Sequence, residues 1–199
     1  MNLLGIRYAL KKPIIDSKDE NAKNRFEKEL ALMAELRHSN LVMLFGCSDT
    51  LTPHLVMEFM NKGTLYGHLS GRAERSVFLP WSARYSIAMN IASGLAYLHD
   101  IMEIIHLDLK SENVLLCSYQ DNPYFAKISD FGTSVFLSDK KKVFHTNKLI
   151  GTPAYIAPEL IKVLIYDKEY KEYKKSGLYE FTKKTDIFSL AIILWELMT

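Results

Sequence analysis

The chain has 199 residues, 48% of them hydrophobic and 24% charged, with a formal net charge of +2. This is the composition of an ordinary globular domain long enough to bury a sizeable core, which excludes a disordered chain. A charge so near balance gives no ground for nucleic-acid or membrane-surface binding, and Cys47 and Cys117, which lack paired spacing, read as buried thiols in a reducing compartment.

Met1 to Pro13 carries no basic-then-apolar signal pattern and reads as a strand. The branched and aromatic residues of Ile6-Arg7-Tyr8-Ala9-Leu10 lead up to Lys11, and strand alternation turns Lys12 to the other face. On its own, a lysine at a strand end is a solvated side chain. Asp16 to Leu36 predicts a helix. Ser17 or Asp19 can cap it, Glu20 supports its first turn, and Phe26, Leu30, Met33, Ala34 and Leu36 recur at helical spacing. Arg37 to Gly46 is a turn leading into a strand, and Leu55 to Leu65 is a strand running into a linker. Leu79 to His99 predicts a long helix, with Trp81, Tyr85, Ile87, Ala88, Ile91, Leu95, Ala96 and Leu98 forming a broad apolar face.

The densest chemistry lies in His106-Leu107-Asp108-Leu109-Lys110-Ser111-Glu112-Asn113, followed by the apolar run Val114-Leu115-Leu116. Asp108 can accept a proton from a hydroxyl, and Lys110 can neutralise a phosphate oxygen. Asn113 can offer an amide oxygen to a hard cation such as Mg²⁺. The apolar run reads as a short buried strand holding the loop still. By itself this stretch is equally a polar loop before a strand.

A turn at Asp121-Asn122-Pro123 joins strands at 114–117 and 125–129, the second leading into Asp130-Phe131-Gly132. From Phe131 to Thr152 the chain is polar without clear periodicity, and Lys140-Lys141-Lys142 reads as a solvated run. Tyr166 to Lys175 alternates charge with tyrosine and reads as an exposed helical insertion ending at Ser176-Gly177. Asp186 caps a last helix from Ile187 to Thr199 that is apolar nearly all round. Its apolar run of 12 positions, Ile187 to Met198, includes Glu196 and is too short to span a bilayer.

Three blocks in order, His106 to Asn113, Asp130-Phe131-Gly132 and Ala157-Pro158-Glu159, resemble the protein kinase motifs. With Lys110 and the wording of 151–159, the chain is most similar to serine/threonine kinases of the tyrosine-kinase-like group, over nearly its whole length. The resemblance implies an α+β, two-lobed fold. Residues 1–60 would form a partial small lobe on an antiparallel sheet. Residues 61–199 would form a partial, mainly helical lobe with an insertion near 162–184. It also implies transfer of the γ-phosphoryl of ATP to a serine or threonine hydroxyl of a protein, with ATP and Mg²⁺ bound, in the cytoplasm. Lys11 would hold the α- and β-phosphates and Glu29 would hold Lys11, in preference to a surface pairing with Arg25 or Lys28. Ala9 and Leu115 would sandwich the adenine. Met57 would line the back of the pocket, and backbone groups of Glu58 and Met60 would read the adenine edge. Asp108 would orient and deprotonate the acceptor, and Lys110 would sit on the γ-phosphate beside Thr152. Asn113 and Asp130 would hold Mg²⁺. Met33, Leu44, His106 and Phe131 would stack as a column between the lobes, and Asp186 would steady the catalytic loop.

Two departures stand out. Leu107 occupies the place of the family's arginine, which pairs with an activation-loop phosphate. Before the strand of Lys11 there is only Gly5 where the family has a glycine-rich phosphate loop, so the first two strands are expected to be missing, as are the final helices. The competing reading is a non-catalytic pseudokinase or fragment that acts as a binding module.

Overall fold

The computed structural model describes residues 2–3, 5–12, 20–48, 53–71, 78–137, 142–162 and 178–199. Its first lobe is a four-stranded antiparallel sheet in the order β1-β2-β4-β3. The strands are β1 (Asn2–Leu3), β2 (Ile6–Lys11), β3 (Leu44–Cys47) and β4 (Leu55–Glu58). The strand of Lys11 was expected to have no neighbour on its outer side, and this is corrected. The tight turn at Gly5, with φ of +81°, folds β1 back so that Asn2 pairs with Arg7 and Leu3 with Ile6. On its other side β2 pairs with β4 from Tyr8–Glu58 to Lys11–Leu55.

Helix α1 (Glu20–Glu35) lies against β3. Phe26, Glu29, Met33 and Leu36 are all buried, at offsets of three or four that put them on one face. Ala34 is exposed, and Leu32 is buried beside that face instead. Ser17 and Asp19, the expected caps, lie outside the described residues. Cys47 is exposed, contrary to expectation, whereas Cys117 is buried.

The second lobe is built on α3 (Trp81–Ala96), which continues as a π-helical turn over Tyr97–Ile101. Ala83, Ile87, Ile91 and Leu95 form its buried row. Trp81, Tyr85 and Met89 form the row on the opposite side and are 65%, 70% and 53% exposed, so the first two do not belong to the core as expected. The reason is helical phase: residues two apart point roughly 200° apart. Gly94 lets α3 approach closely, since a Cβ there would lie 2.9 Å from the Asn40 carbonyl oxygen. The short helix α2 (Leu65–Leu69) is capped by Thr64, whose hydroxyl accepts the Gly67 N–H at 3.0 Å.

The strand pair β5 (Ile104–Ile105) and β8 (Val135–Phe136) frames the loop between them, and β6 (Val114–Tyr119) pairs with β7 (Asn122–Ile128) as a hairpin. The hairpin turn falls at Gln120-Asp121, so Pro123 lies within β7 rather than in the turn. Beyond it, β9 (Phe144–Thr146) pairs with β10 (Tyr179–Phe181). Sequence reading placed an insertion at 162–184. Its described end is a strand of the fold, and residues 163–177, like Lys140 and Lys141, lie outside the described residues. A helix α4 begins at 158 and is described to 162. The last helix, α5 (Lys183–Met198), is capped by Thr182, whose hydroxyl accepts the Lys184 N–H. Asp186 is therefore not the cap; it is buried in the first turn.

One apolar core runs through both lobes, from Phe26, Met33 and Leu44 through Leu41, Ile128 and Phe131 to Ile87, Ile91, Ile193 and Leu197. Backbone bonds join the lobes at this point: Val42 N–H donates to the Ile128 carbonyl at 2.9 Å, and Ile128 N–H to that of Asn40 at 2.8 Å. Each fully buried aliphatic side chain here contributes about 1.5–3 kcal/mol.

Candidate active site

The loop before β6 is held by the first turn of α5. Asp186 is 1% exposed. Its carboxylate accepts the backbone N–H of His106 at 2.8 Å, that of Leu107 at 3.0 Å, and a bond from His99 at 2.9 Å. His106 is fully buried. Its Nδ1 accepts the Asp108 N–H at 3.3 Å, which leaves Nε2 to donate to the Ser129 carbonyl at 3.0 Å. Its ring lies 5.4 Å from that of Phe131. Met33, Leu44 and Phe131 are buried in one apolar cluster, and His106 lies fully buried beside Phe131.

Held in this way, Asp108 meets Thr152 and Lys110. The Thr152 hydroxyl donates to Asp108 Oδ1 at 2.7 Å, Lys110 Nζ lies 2.8 Å from Asp108 Oδ2, and Lys110 Nζ donates to Thr152 Oγ1 at 2.8 Å. Asn113 Nδ2 donates to the Asp108 carbonyl at 2.8 Å. Ser129, which sequence reading passed over, ties this loop to β7: its N–H and its hydroxyl donate to the Asn113 carbonyl at 2.8 and 2.9 Å. Gly151, with φ of +112°, lets the Thr152 segment close on the loop, because a Cβ there would lie 3.0 Å from the Leu107 carbonyl oxygen.

Facing this loop, Lys11 Nζ lies 2.6 Å from Glu29 Oε1 and 2.7 Å from Asp130 Oδ1. Burial alone would lower the Lys11 pKa, but the hydrogen bonds and charges of Asp130 and Glu29 outweigh it and raise the value above the usual lysine range. Burial likewise opposes ionisation of Asp130. The hydrogen bond and charge of Lys11 prevail, with help from His106 and the Gly132 N–H, and the carboxyl stays below its ordinary value. Lys11 is thus a cation and Asp130 an anion throughout the neutral range.

Behind this ion trio a cleft of about 280 Å³ opens between the sheet and the β6–β7 hairpin. Ala9, Lys11, Met57, Glu58, Met60, Leu115 and Asp130, all singled out from sequence, line it together with Val42, Met33, Phe59 and Ser129. The sequence signal for Val42 and Ser129 was weak, since nothing sets Val42 apart within the apolar run Leu41 to Phe45, and a single serine carries no spacing of its own.

The donor set suits Mg²⁺. Asn113 turns its amide nitrogen to Asp108, which leaves its oxygen as the remaining acceptor, and the Asp130 side chain is 48% exposed at the cleft. Hard oxygen donors from one carboxylate and one amide match a cation that takes its other ligands from phosphate and water.

A third cluster packs the segment after Phe131. Leu107, 7% exposed, lies among Ile105, Leu137, Ile156, Leu160 and Phe181, with Phe144 of β9 against them. Below the Thr152 segment, Tyr155 donates to Glu196 Oε1 at 2.7 Å and shares a bond of 2.9 Å with Ser111. Sequence reading missed both features, whose parts are far apart in the chain.

The family model described as protein kinase domain matches residues 4–199. Among curated relatives, the probable serine/threonine-protein kinase roco8 of Dictyostelium discoideum is 36% identical over 186 residues, 92% of this chain and 9% of that protein. A leaf rust 10 disease-resistance locus receptor-like protein kinase-like 1.2 of Arabidopsis thaliana is 37% identical over 91% of this chain and 25% of its own. The probable serine/threonine-protein kinase drkC of Dictyostelium discoideum is 37% identical over 98% of this chain and 24% of its own. The chain spans a quarter or less of the length of these relatives.

Proposed function

This chain belongs to the protein kinase domain family, and on that premise we propose that it transfers the γ-phosphoryl group of ATP to a serine or threonine hydroxyl of a protein. The observation that carries this reading is the triangle of Asp108, Lys110 and Thr152, closed at 2.7–2.8 Å. It sets a carboxylate base beside an ammonium that can neutralise a phosphoryl oxygen. Lys110 also favours a serine or threonine acceptor, since the tyrosine-kinase form of the loop lacks a lysine there.

Charge in the transition state spreads over phosphoryl oxygens, so positioning and counter-charge supply most of the catalysis. Asp108 accepts the hydroxyl proton as the oxygen attacks phosphorus and the bond to the β-phosphate oxygen breaks. Lys11, held by Glu29, binds the α- and β-phosphates. Ala9 and Leu115 enclose the adenine, Met57 closes the back of the slot, and Glu58 and Met60 offer backbone groups to the adenine edge. Asn113 and Asp130 would hold Mg²⁺, which would supply positive charge to offset the negative charge of the phosphates. A binding module without transfer needs neither the Asp108 triangle nor the Lys11–Glu29 pair. No helix among the described residues is long and apolar enough to cross a membrane, and we place the activity in the cytoplasm, acting on proteins and not on nucleic acid.

The test is transfer from labelled ATP to a generic basic protein, followed by phosphoamino-acid analysis. Phosphoserine and phosphothreonine are expected, and a product that is mostly phosphotyrosine would refute the acceptor assignment.

A further inference from the structure

The Glu58 side chain has a partner that phosphoryl transfer does not employ. Lys127, on β7, is only 8% exposed. Its Nζ lies 2.8 Å from each oxygen of the Glu58 carboxylate, and it stands 6.0 Å above the Phe125 ring. Glu58 is fixed in turn: its Oε2 accepts the Met43 N–H at 3.3 Å, and its own N–H donates to the Met43 carbonyl at 2.9 Å. In the β6–β7 register Lys127 is the partner of Leu115. The ion pair therefore joins the strand end that walls the cleft at Met57–Met60 to the hairpin that supplies its floor, three residues before Asp130.

A partly buried pair of this kind, with Lys127 buried and the Glu58 side chain 25% exposed, adds little net stability over apolar side chains of similar volume. Its effect is on geometry. Widening the cleft would pull opposite charges apart where water screens them poorly. A flat ring bound in the slot depends on close contact with both walls, and a gap of about 0.5–1 Å already forfeits a quarter to a half of the dispersion attraction.

We propose that Glu58 and Lys127 are positioning residues for the purine end of the nucleotide: their ion pair fixes the width of the slot between the hinge strand and Leu115, and so sets nucleotide affinity rather than the rate of transfer. This rests on the phosphoryl-transfer reading. It assigns a role to Lys127, which touches neither the reacting atoms nor the acceptor loop.

Cys117 provides a reporter that needs no nucleotide, because it packs with Val42 and Met60 next to the pair. Cys47 is exposed and would be replaced by serine throughout. The test compares the chain with its K127M, E58Q and E58K/K127E variants, by Mg-ATP titration, steady-state kinetics and Cys117 labelling with a thiol reagent. K127M and E58Q are expected to raise the Kd and KM for Mg-ATP by about tenfold. For K127M, kcat at saturating ATP and KM for the protein acceptor should stay within about twofold. Cys117 should label faster in both, and the charge-swapped double variant should recover most of the affinity and the slow labelling. If K127M fails to fold, E58Q reads the same effect, since it keeps the shape and a hydrogen bond to Lys127. Folded variants whose Mg-ATP affinity and Cys117 labelling match the parent overturn the proposal alone. A parent that does not bind Mg-ATP overturns the phosphoryl-transfer reading with it.

Discussion

Asp108, the proposed base, is held by its neighbours. Thr152 and Lys110 occupy its two oxygens, and Asn113 holds its backbone carbonyl. Asp108→Asn removes the proposed base without changing a residue that lines the cleft. It should lower kcat by about 10²-fold or more while leaving Mg-ATP affinity unchanged in an equilibrium titration. Tyr155 makes a separate prediction. Burial raises its pKa to about 12, with the Glu196 hydrogen bond and charge adding to the shift and Ser111 opposing it. A raised folded-state value means that the contribution is fully present below the unfolded value of 10.0 and is lost as pH rises through about 12. Urea unfolding across this range should show it in the parent, and Tyr155→Phe should abolish that part of the pH dependence.

At the scale of elements, the described residues between β8 and α4 are held by apolar packing. Leu107 stands where the family's arginine would meet a phosphate. Its φ of +69° is unusual for a branched residue, but Asp186 holds its N–H and its side chain is buried against Leu137, Ile156 and Phe181. A phosphate on the loop gains most of its ordering power by pairing with arginine, and leucine offers no such pairing. Phosphatase treatment, including removal of any phosphate at Thr146, should therefore change activity by less than about tenfold, equivalent to about 1.4 kcal/mol. Phe181 lies at the centre of the same cluster, 1% exposed, on the strand that pairs with β9. Phe181→Ala should cost about 3–5 kcal/mol in denaturant unfolding and should also lower activity, since β9 loses the support of β10.

At the scale of the whole molecule, two helices present apolar side chains to solvent. On α3 these are Trp81, Tyr85 and Met89, and on α5 they are Ile187, Trp195 and Met198, which is 66% exposed. Exposed apolar side chains of this size on both helices favour association. The 199-residue chain should self-associate at micromolar concentration in sedimentation velocity. Trp195→Glu together with Trp81→Glu should shift it toward monomer without lowering the melting temperature, because neither ring is buried.

The protein's motifs were legible from sequence because each is local. Asp108, Lys110 and Asn113 share one loop, and Asp130 lies two residues after the end of β7. The row of Phe26, Glu29 and Met33 follows from the helical repeat. Hydrophobic content predicted which helices exist but not which face is covered, so Trp81 and Tyr85 were misplaced: a repeat gives the phase of a stripe relative to itself, and only packing says which stripe meets the core. Tertiary structure alone decided the rest. Residues 179–181 became β10 because β9 offered them a partner, and Thr182 took the cap that the sequence pattern had given to Asp186, whose hold on the loop backbone the resemblance had implied. Glu58 and Lys127, 69 residues apart, met because sheet and hairpin registers placed both beside one cleft. Such pairings depend on burial and register between distant segments, and no spacing along the chain encodes them.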